Sequence, residues 1–216
     1  PQLPPGLPIR NVGPDALISA GFLDTHVHYP QAPVIASFGA QLLDWLETYT
    51  FPAEGAFSDK DQLRGRYVDT TAENFRMTMD ISCYSFTAVA QRAEKLMTNG
   101  GSLLTLTYYG AEKWMPHYNV MGVAKAALEA STRYLASELG AQNIRVNSVA
   151  PTFVETPMTA PMFAKGEFSK WVHDRIPLGR LGQLDEVVGA VLFAASPAAS
   201  FMTGTCLIID GGWTAV

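Results

Sequence analysis

Cysteine is almost missing: Cys83 and Cys206 are the only two in 216 residues. That is too few for the disulfide framework of a small secreted fold, and two isolated thiols fit a reducing, cytoplasmic setting. Positive charge is also short. Lys and Arg number 15 against 20 Asp and Glu, leaving a net charge of −5. With no basic block, neither nucleic acid nor an anionic membrane is an expected partner. No apolar run reaches the roughly 20 residues of a membrane span. No charged start leads into an apolar stretch, so no secretory leader is expected. The first residue is Pro1 rather than Met, and an interior fragment or a processed product is expected.

What is present suits a folded α/β chain. Hydrophobic residues make up 48%, enough for one sizeable domain or two very small ones. Residues 1–14, "PQLPPGLPIRNVGP", are too rich in Pro for ladders or helices and read as a loose arm. "ALISAGFLDTHVH" (16–28) reads as a buried strand with a polar end. "FGAQLLDWLE" (38–47) places Phe38, Leu42, Trp45 and Leu46 at helical spacing. "TFPAEGAFSDKDQ" (50–62) is a connector, so the domain boundary is drawn there: a segment at 1–56 and a domain at 57–216.

Beyond residue 70 the text becomes regular. Thr70-x-x-Glu73 matches a capping box, opening a long helix that "TNGG" (98–101) would close. "SLLTLT" (102–107), "NIRVNSVAP" (143–151) and "TGTCLIID" (203–210) read as strands. Helices are expected over about 118–139 and in "LDEVVGAVLFAAS" (184–196). Strands rich in Val, Ile and Leu that alternate with helices predict a parallel sheet covered on both faces.

"YNVMGVAK" sets Tyr118 and Lys125 seven residues apart, nearly two helical turns, so both lie on one face. A tyrosine ordinarily holds its proton to about pH 10. A nearby ammonium favours the phenolate and is expected to lower that value, giving an acid or polariser of use near neutrality.

With these residues, "FRMTMDISCYSF" and "GGSLLTLTYYGAEKWMPHYNVMGVAKAALEASTRYLASELGAQNIRVN" resemble the bacterial enoyl-acyl-carrier-protein reductases of the short-chain dehydrogenase/reductase superfamily, over about 57–148. The resemblance implies a Rossmann-like α/β fold, NAD or NADP as cofactor, and an acyl-thioester or carbonyl substrate in fatty acid synthesis. It also implies roles: Tyr118 hydrogen-bonds the thioester carbonyl, Lys125 holds the nicotinamide ribose, and Tyr108 in "LTYYG" is the second tyrosine. From Ser148 on, "SVAPTFVETPMT" and "IPLGRLGQLDEVVGAVLFAASPAASFMTGTCLIIDGGW" resemble the short-chain dehydrogenases that reduce ketones or oxidise alcohols. There a loop covers the nicotinamide, which implies cofactor contacts from Pro151, Val154 and Thr156. The Met- and aromatic-rich "FVETPMTAPMFAKGEFSKW" (153–171) falls where the superfamily has its substrate lid.

A dinucleotide fold needs a Gly-rich turn that brings pyrophosphate onto the N–H groups of a helix start. None of the 18 glycines stands in G-x-G-x-x-G or G-x-x-x-G-x-G. The N-terminal βα units are therefore read as incomplete or replaced. In their place, "DALISAGFLDTHVHYPQAPVIASFGAQLLDWLETYTFPAE" (15–54) resembles the start of guanine deaminases, in which a His-x-His pair binds zinc. His26 and His28 match that pair. Zinc catalysis takes at least three protein ligands, and His117 and His173 lie in reductase-like text, so no metal is expected. The whole reads as a chimera. Two other readings compete: a non-catalytic oligomeric scaffold of the same superfamily, and a metal-dependent guanine deaminase-like amidohydrolase. Small residues along 118–139, among them Gly122, Ala126 and Ala130, let another helix approach closely, within one chain or between copies. The resemblance to short-chain dehydrogenases, which use this helix and the preceding one to assemble, implies a homodimer or homotetramer.

Overall fold

Three parallel strands, β1 (Gly101–Leu106), β2 (Ile144–Pro151) and β3 (Cys206–Ile209), pair in the order β1-β2-β3. The computed structural model describes residues 66–216 apart from 117, 157, 158 and 165. The readings made for the arm, the strand at 16–28, the helix at 38–47 and the connector at 50–62, and with them His26 and His28, lie outside the described residues. So does His117. The register runs from Gly101 opposite Ile144 to Leu106 opposite Val149, and from Ser148 opposite Cys206 to Pro151 opposite Ile209. β2 is central, and its run from Val146 to Ala150 is buried without alternation, as a strand covered on both faces must be.

Neighbouring side chains show the two covers, because successive residues of a strand point to opposite faces. Ser102 Oγ donates to the Ala194 carbonyl of one helix. Leu103 packs instead into a cluster with Phe86, Leu128, Leu139, Ile144 and Val146. The helices concerned are α3 (Asn119–Leu139), which crosses from β1 to β2, and α6 (Leu184–Ala195), which crosses from β2 to β3. Parallel strands require such crossovers. This is the expected α/β arrangement.

Ahead of β1, α1 (Ala72–Met79) and α2 (Ser85–Ala93) are joined by a π-helical stretch, Asp80–Tyr84. The capping residue is Thr71, whose hydroxyl accepts from Asn74 N at 3.2 Å, not Thr70. Thr70 is already used, its N–H bonded to the Tyr67 carbonyl to close a short 3-10 turn. The helix also ends sooner than expected, at Ala93. Gly100 then turns with φ of 81°, where an added Cβ would lie 2.6 Å from the Asn143 carbonyl. Only glycine fits this turn, and it sets the start of β1 against the start of β2.

Two polar residues, Asn147 buried and Arg145 half-buried, tie β2 to the last third of the chain. Asn147 donates to the Met202 carbonyl at 2.8 Å and accepts from Thr205 N at 3.2 Å. Arg145 reaches the carbonyls of Ala194, Ala195 and Ser196 at the C-terminus of α6, where orphan carbonyls and the helix dipole favour a cation. After β2 come α4 (Ala160–Phe163) and α5 (Glu167–Arg175). A second cluster of Phe153, Val172, Ile176, Leu181 and Trp213 packs there.

Candidate functional site

The carboxyl end of β1 is where the predicted residues converge. Leu106 closes the strand, and its carbonyl accepts from Lys125 Nζ at 2.9 Å. Lys125 is 2% exposed. A buried ammonium needs such partners, since its desolvation is otherwise costly. Seven residues before it, Tyr118 forms the N-cap of α3. The next residue, Asn119, has φ of 29°, a region that Asn tolerates better than most side chains.

Tyr108 lies two residues past Leu106, and its ring stands 4.8 Å from that of Tyr118, tilted by 56°. Two glycines make this approach possible. A Cβ on Gly110 would meet the Tyr118 ring, 2.8 Å from Cε1, and a Cβ on Gly122 would stand 2.8 Å from the Gly110 carbonyl. Gly122 thus receives the 108–111 turn of its own chain, which is not the helix neighbour that its small size suggested. Sequence reasoning missed Gly110 as a shaper of the site. Its signal was the glycine directly after the tyrosine pair in "TYYG".

The electrostatics correct one expectation. Burial pushes the Tyr108 phenol up to about 12. Tyr118 is raised well above the ordinary tyrosine value, by burial first and the Tyr108 phenol second. Lys125 does not bring it down. Tyr118 therefore stays a neutral O–H donor through the physiological range, able to donate to a carbonyl and to strengthen that bond as negative charge develops.

Beside this pair, Thr107 Oγ1 donates to Glu129 Oε1 at 2.7 Å. Burial raises the Glu129 carboxyl above its usual range.

Pro151, the last residue of β2, stands opposite Ile209 at the same carboxyl edge of the sheet. Open parallel sheets bind ligands outside this edge. Val154 bridges to Gly182. Thr156 closes a local turn in which the Thr156 and Thr159 hydroxyls lie 2.9 Å apart and Thr159 Oγ1 donates to the Val154 carbonyl at 2.7 Å. The structure thus sets Tyr108 and Tyr118 ring to ring and seats Lys125 on the carbonyl two residues before Tyr108. Val154 and Thr156 are fixed in the segment that follows β2, tied to partners of their own.

The aromatic residues of 153–171 pack on one another, and Phe163 also borders open space. Phe153 meets Phe163 edge-on at 6.0 Å, and Phe163 stacks on Phe168 at 6.0 Å. A cavity of about 410 Å³ opens beside them, lined by Glu155, Phe163, His173, Arg180, Leu181 and Gln183 among others. None of Tyr108, Tyr118 and Lys125 borders it. His173 faces the Ser169 carbonyl through Nδ1. Among the described residues no three His, Cys, Asp or Glu side chains gather to hold a metal, and no helix is long and apolar enough to cross a membrane.

An ammonium and a phenol O–H, both shielded from water at the carboxyl ends of parallel strands, suit a ribose diol and a carbonyl. That donor set fits the nicotinamide half of a dinucleotide. A Gly-rich strand-to-helix turn for its pyrophosphate is not found among the described residues.

The profile of one family, described as enoyl-(acyl carrier protein) reductase, matches residues 50–214, across both places where the sequence changes character. An enoyl-acyl-carrier-protein reductase (NADH) 1 of Rhizobium meliloti is 53% identical over 74% of this chain and 59% of its own length. One of Rickettsia bellii is 44% identical over 83% of this chain and 69% of its own. This chain thus spans less than two thirds of the first of these relatives. Among solved structures, the reductase of Anaplasma phagocytophilum in complex with NAD has 51% identity and a TM-score of 0.66, covering 74% of this chain and 59% of that one. A gluconate 5-dehydrogenase of Burkholderia cenocepacia with NADP and tartrate has 27% identity and the same TM-score of 0.66. A profile that runs through the tyrosine–lysine helix and all three strands decides the matter: the chain belongs to the enoyl-acyl-carrier-protein reductase family of the short-chain dehydrogenase/reductase superfamily.

Proposed function

We propose that this chain is an NAD(P)-dependent oxidoreductase acting on an α,β-unsaturated acyl thioester, through Tyr118, Lys125 and Tyr108. The observation that carries the reading is the buried Lys125 ammonium on the Leu106 carbonyl, one helical face from a phenol that burial keeps protonated. When bound, the reduced nicotinamide supplies the hydride. Tyr118 donates its O–H to the thioester carbonyl and stabilises the negative charge that collects on that oxygen. Lys125 holds the ribose hydroxyls, and Tyr108 packs on Tyr118 and walls the acyl side. Pro151, Val154 and Thr156 would bound the carboxamide side. Both the reductase of Rhizobium meliloti, named for NADH, and the solved complex with NAD support this reading.

Titration of protein fluorescence with NADH and with NADPH tests it, and the expected outcome is saturable binding of one or both that is lost in Lys125→Met. No binding at millimolar dinucleotide would defeat it. That outcome would favour the non-catalytic scaffold, a reading supported by the missing glycine spacing among 18 glycines.

In the same proposal, residues 57–216 form the working domain of a cytoplasmic homo-oligomer. Val123 and Tyr134 remain exposed on α3, which supports a helix-mediated contact. A monomer mass in size-exclusion chromatography would remove that part. The guanine deaminase-like reading of residues 15–55 rests on sequence alone, since the family match starts at residue 50. Peptide mass spectrometry across 1–60 tests whether that stretch belongs to the polypeptide.

A further inference from the structure

Lys125 donates to the Leu106 carbonyl, and Leu106 is the last residue of β1. Something must hold the peptide beyond it. The next residue, Thr107, is 4% exposed and follows the last residue of β1. Its N–H bonds to the Val149 carbonyl of β2 at 2.9 Å. Its hydroxyl donates to Glu129 Oε1 at 2.7 Å. Glu129 lies one turn beyond Lys125 on α3, on the same flank. Two side chains of one helix therefore grip two consecutive residues of one strand end: Lys125 takes the Leu106 carbonyl, and Glu129 takes the Thr107 hydroxyl.

The structure assigns Glu129 as a positioning residue that acts through Thr107 to hold the end of β1, so that the Leu106 carbonyl keeps the Lys125 ammonium aligned with Tyr118. The inference rests on the reading of Lys125 as the ribose-holding residue. It adds a group that the sequence did not mark.

The surroundings of Glu129 fit this task. Burial raises its carboxyl, the Thr107 hydroxyl lowers it, Glu112 raises it, and Arg133 and Lys125 lower it again. Cys206 on β3 faces it from the sheet, its thiol raised by burial first and also by the charges of Glu129 and Glu112. Tyr109 lines the same narrow cleft. A carboxylate in this company is retained for the bonds it accepts rather than for solvent contact.

Three variants test the assignment: Glu129→Ala, Glu129→Gln and Thr107→Val. Glu129→Gln keeps an acceptor oxygen for the Thr107 hydroxyl and removes only the charge. Two readouts apply, the NADH dissociation constant and the side-chain NMR signals of Lys125, identified by their loss in Lys125→Met. Glu129→Ala and Thr107→Val are expected to weaken NADH binding about tenfold each and to move the Lys125 signals. Glu129→Gln is expected to restore both. The double variant Glu129→Ala/Thr107→Val should be no worse than either single one, because both break the same bond. If Glu129→Ala fails to fold, Thr107→Val carries the comparison alone. Should the unaltered chain bind no NADH, the proposed function falls while the NMR signals still decide this point. Lys125 signals that stay put in Thr107→Val, or that move as far in Glu129→Gln as in Glu129→Ala, overturn the assignment.

Discussion

Tyr118 and Tyr108 hold their ring centroids 4.8 Å apart at a tilt of 56°, and the Tyr108 phenol adds to the cost of ionising Tyr118. Burial is the larger cause for Tyr118 and raises Tyr108 as well. The chain has eight tyrosines, and an alkaline titration followed by ultraviolet absorbance will set the buried pair apart. A tyrosine in water ordinarily ionises at about pH 10. Tyr108 is expected to follow only near pH about 12, with Tyr118 later still.

The sign for stability follows from the same direction. A phenol whose folded value lies above its unfolded one keeps its proton longer in the folded chain. Its contribution is complete below the unfolded value of about 10 and is lost as pH rises toward the folded value. Urea midpoints should therefore fall between pH about 10 and about 12 more steeply than in Tyr108→Phe, which has one fewer buried phenol to ionise. Equal slopes would mean that these rings are open to solvent.

Gly110→Ala is the sharpest test of how the rings are placed. The new methyl would stand 2.8 Å from Tyr118 Cε1, so the ring or the turn must move. Overpacking of this kind costs about 1–3 kcal/mol, seen as a lower melting temperature. The displacement should also weaken NADH binding and change the alkaline titration of Tyr118. Gly140→Ala is the control, since nothing lies within 4 Å of its added Cβ. A Gly110→Ala protein with unchanged titration and melting would show that the turn is looser than drawn.

Much of this arrangement is legible from the text, for identifiable reasons. The Tyr118–Lys125 face follows from helical period alone, and β2 announces itself as an apolar run because both of its faces are covered. The helix expected over about 118–139 is α3, which ends at Leu139 with Gly140 as its cap. What escaped notice depended on tertiary neighbours. The capping residue moved from Thr70 to Thr71 because a preceding 3-10 turn had already taken the Thr70 N–H. The phenol shift came out with the wrong sign because sequence shows the charged neighbour and hides the burial. Glu129 carried no mark in the sequence, since nothing in "AKAALEAS" shows that Thr107, 22 residues away, would arrive beside it.

Lys125→Met separates packing from chemistry. Met fills much of the volume of the lysine stem and removes the ammonium. The Leu106 carbonyl, which accepts from Lys125 at 2.9 Å, is left without that donor, and an unsatisfied buried acceptor costs about 1–3 kcal/mol. Removing a buried charge offsets part of that cost. The folded state should therefore survive with a modest change in melting temperature, while saturable NADH binding disappears. A Lys125→Met protein that binds NADH as well as the parent would take the ribose role away from this residue.

Acid should act at the N-terminus of α6. Arg180 grips both oxygens of Glu186, at 2.7 and 2.9 Å, and Glu186 Oε2 accepts from Gln183 N at 2.8 Å, closing the capping box of α6. The guanidinium bonds first, and the Gln183 N–H second, lower the Glu186 carboxyl from 4.5 to about 2. A carboxyl whose folded value is depressed contributes stability that is complete above the unfolded value and fades as pH falls through the folded one. The gap in melting temperature between the parent and Glu186→Gln should hold constant above pH about 5 and close toward pH about 2. Gln keeps an acceptor for the Gln183 N–H, so the comparison isolates the charge. Because the pair is exposed, its effect is small and should shrink further at about 1 M salt, where screening reaches within about 3 Å. A gap that persisted unchanged to pH about 2 would show that the charge of Glu186 is not what sets the two proteins apart.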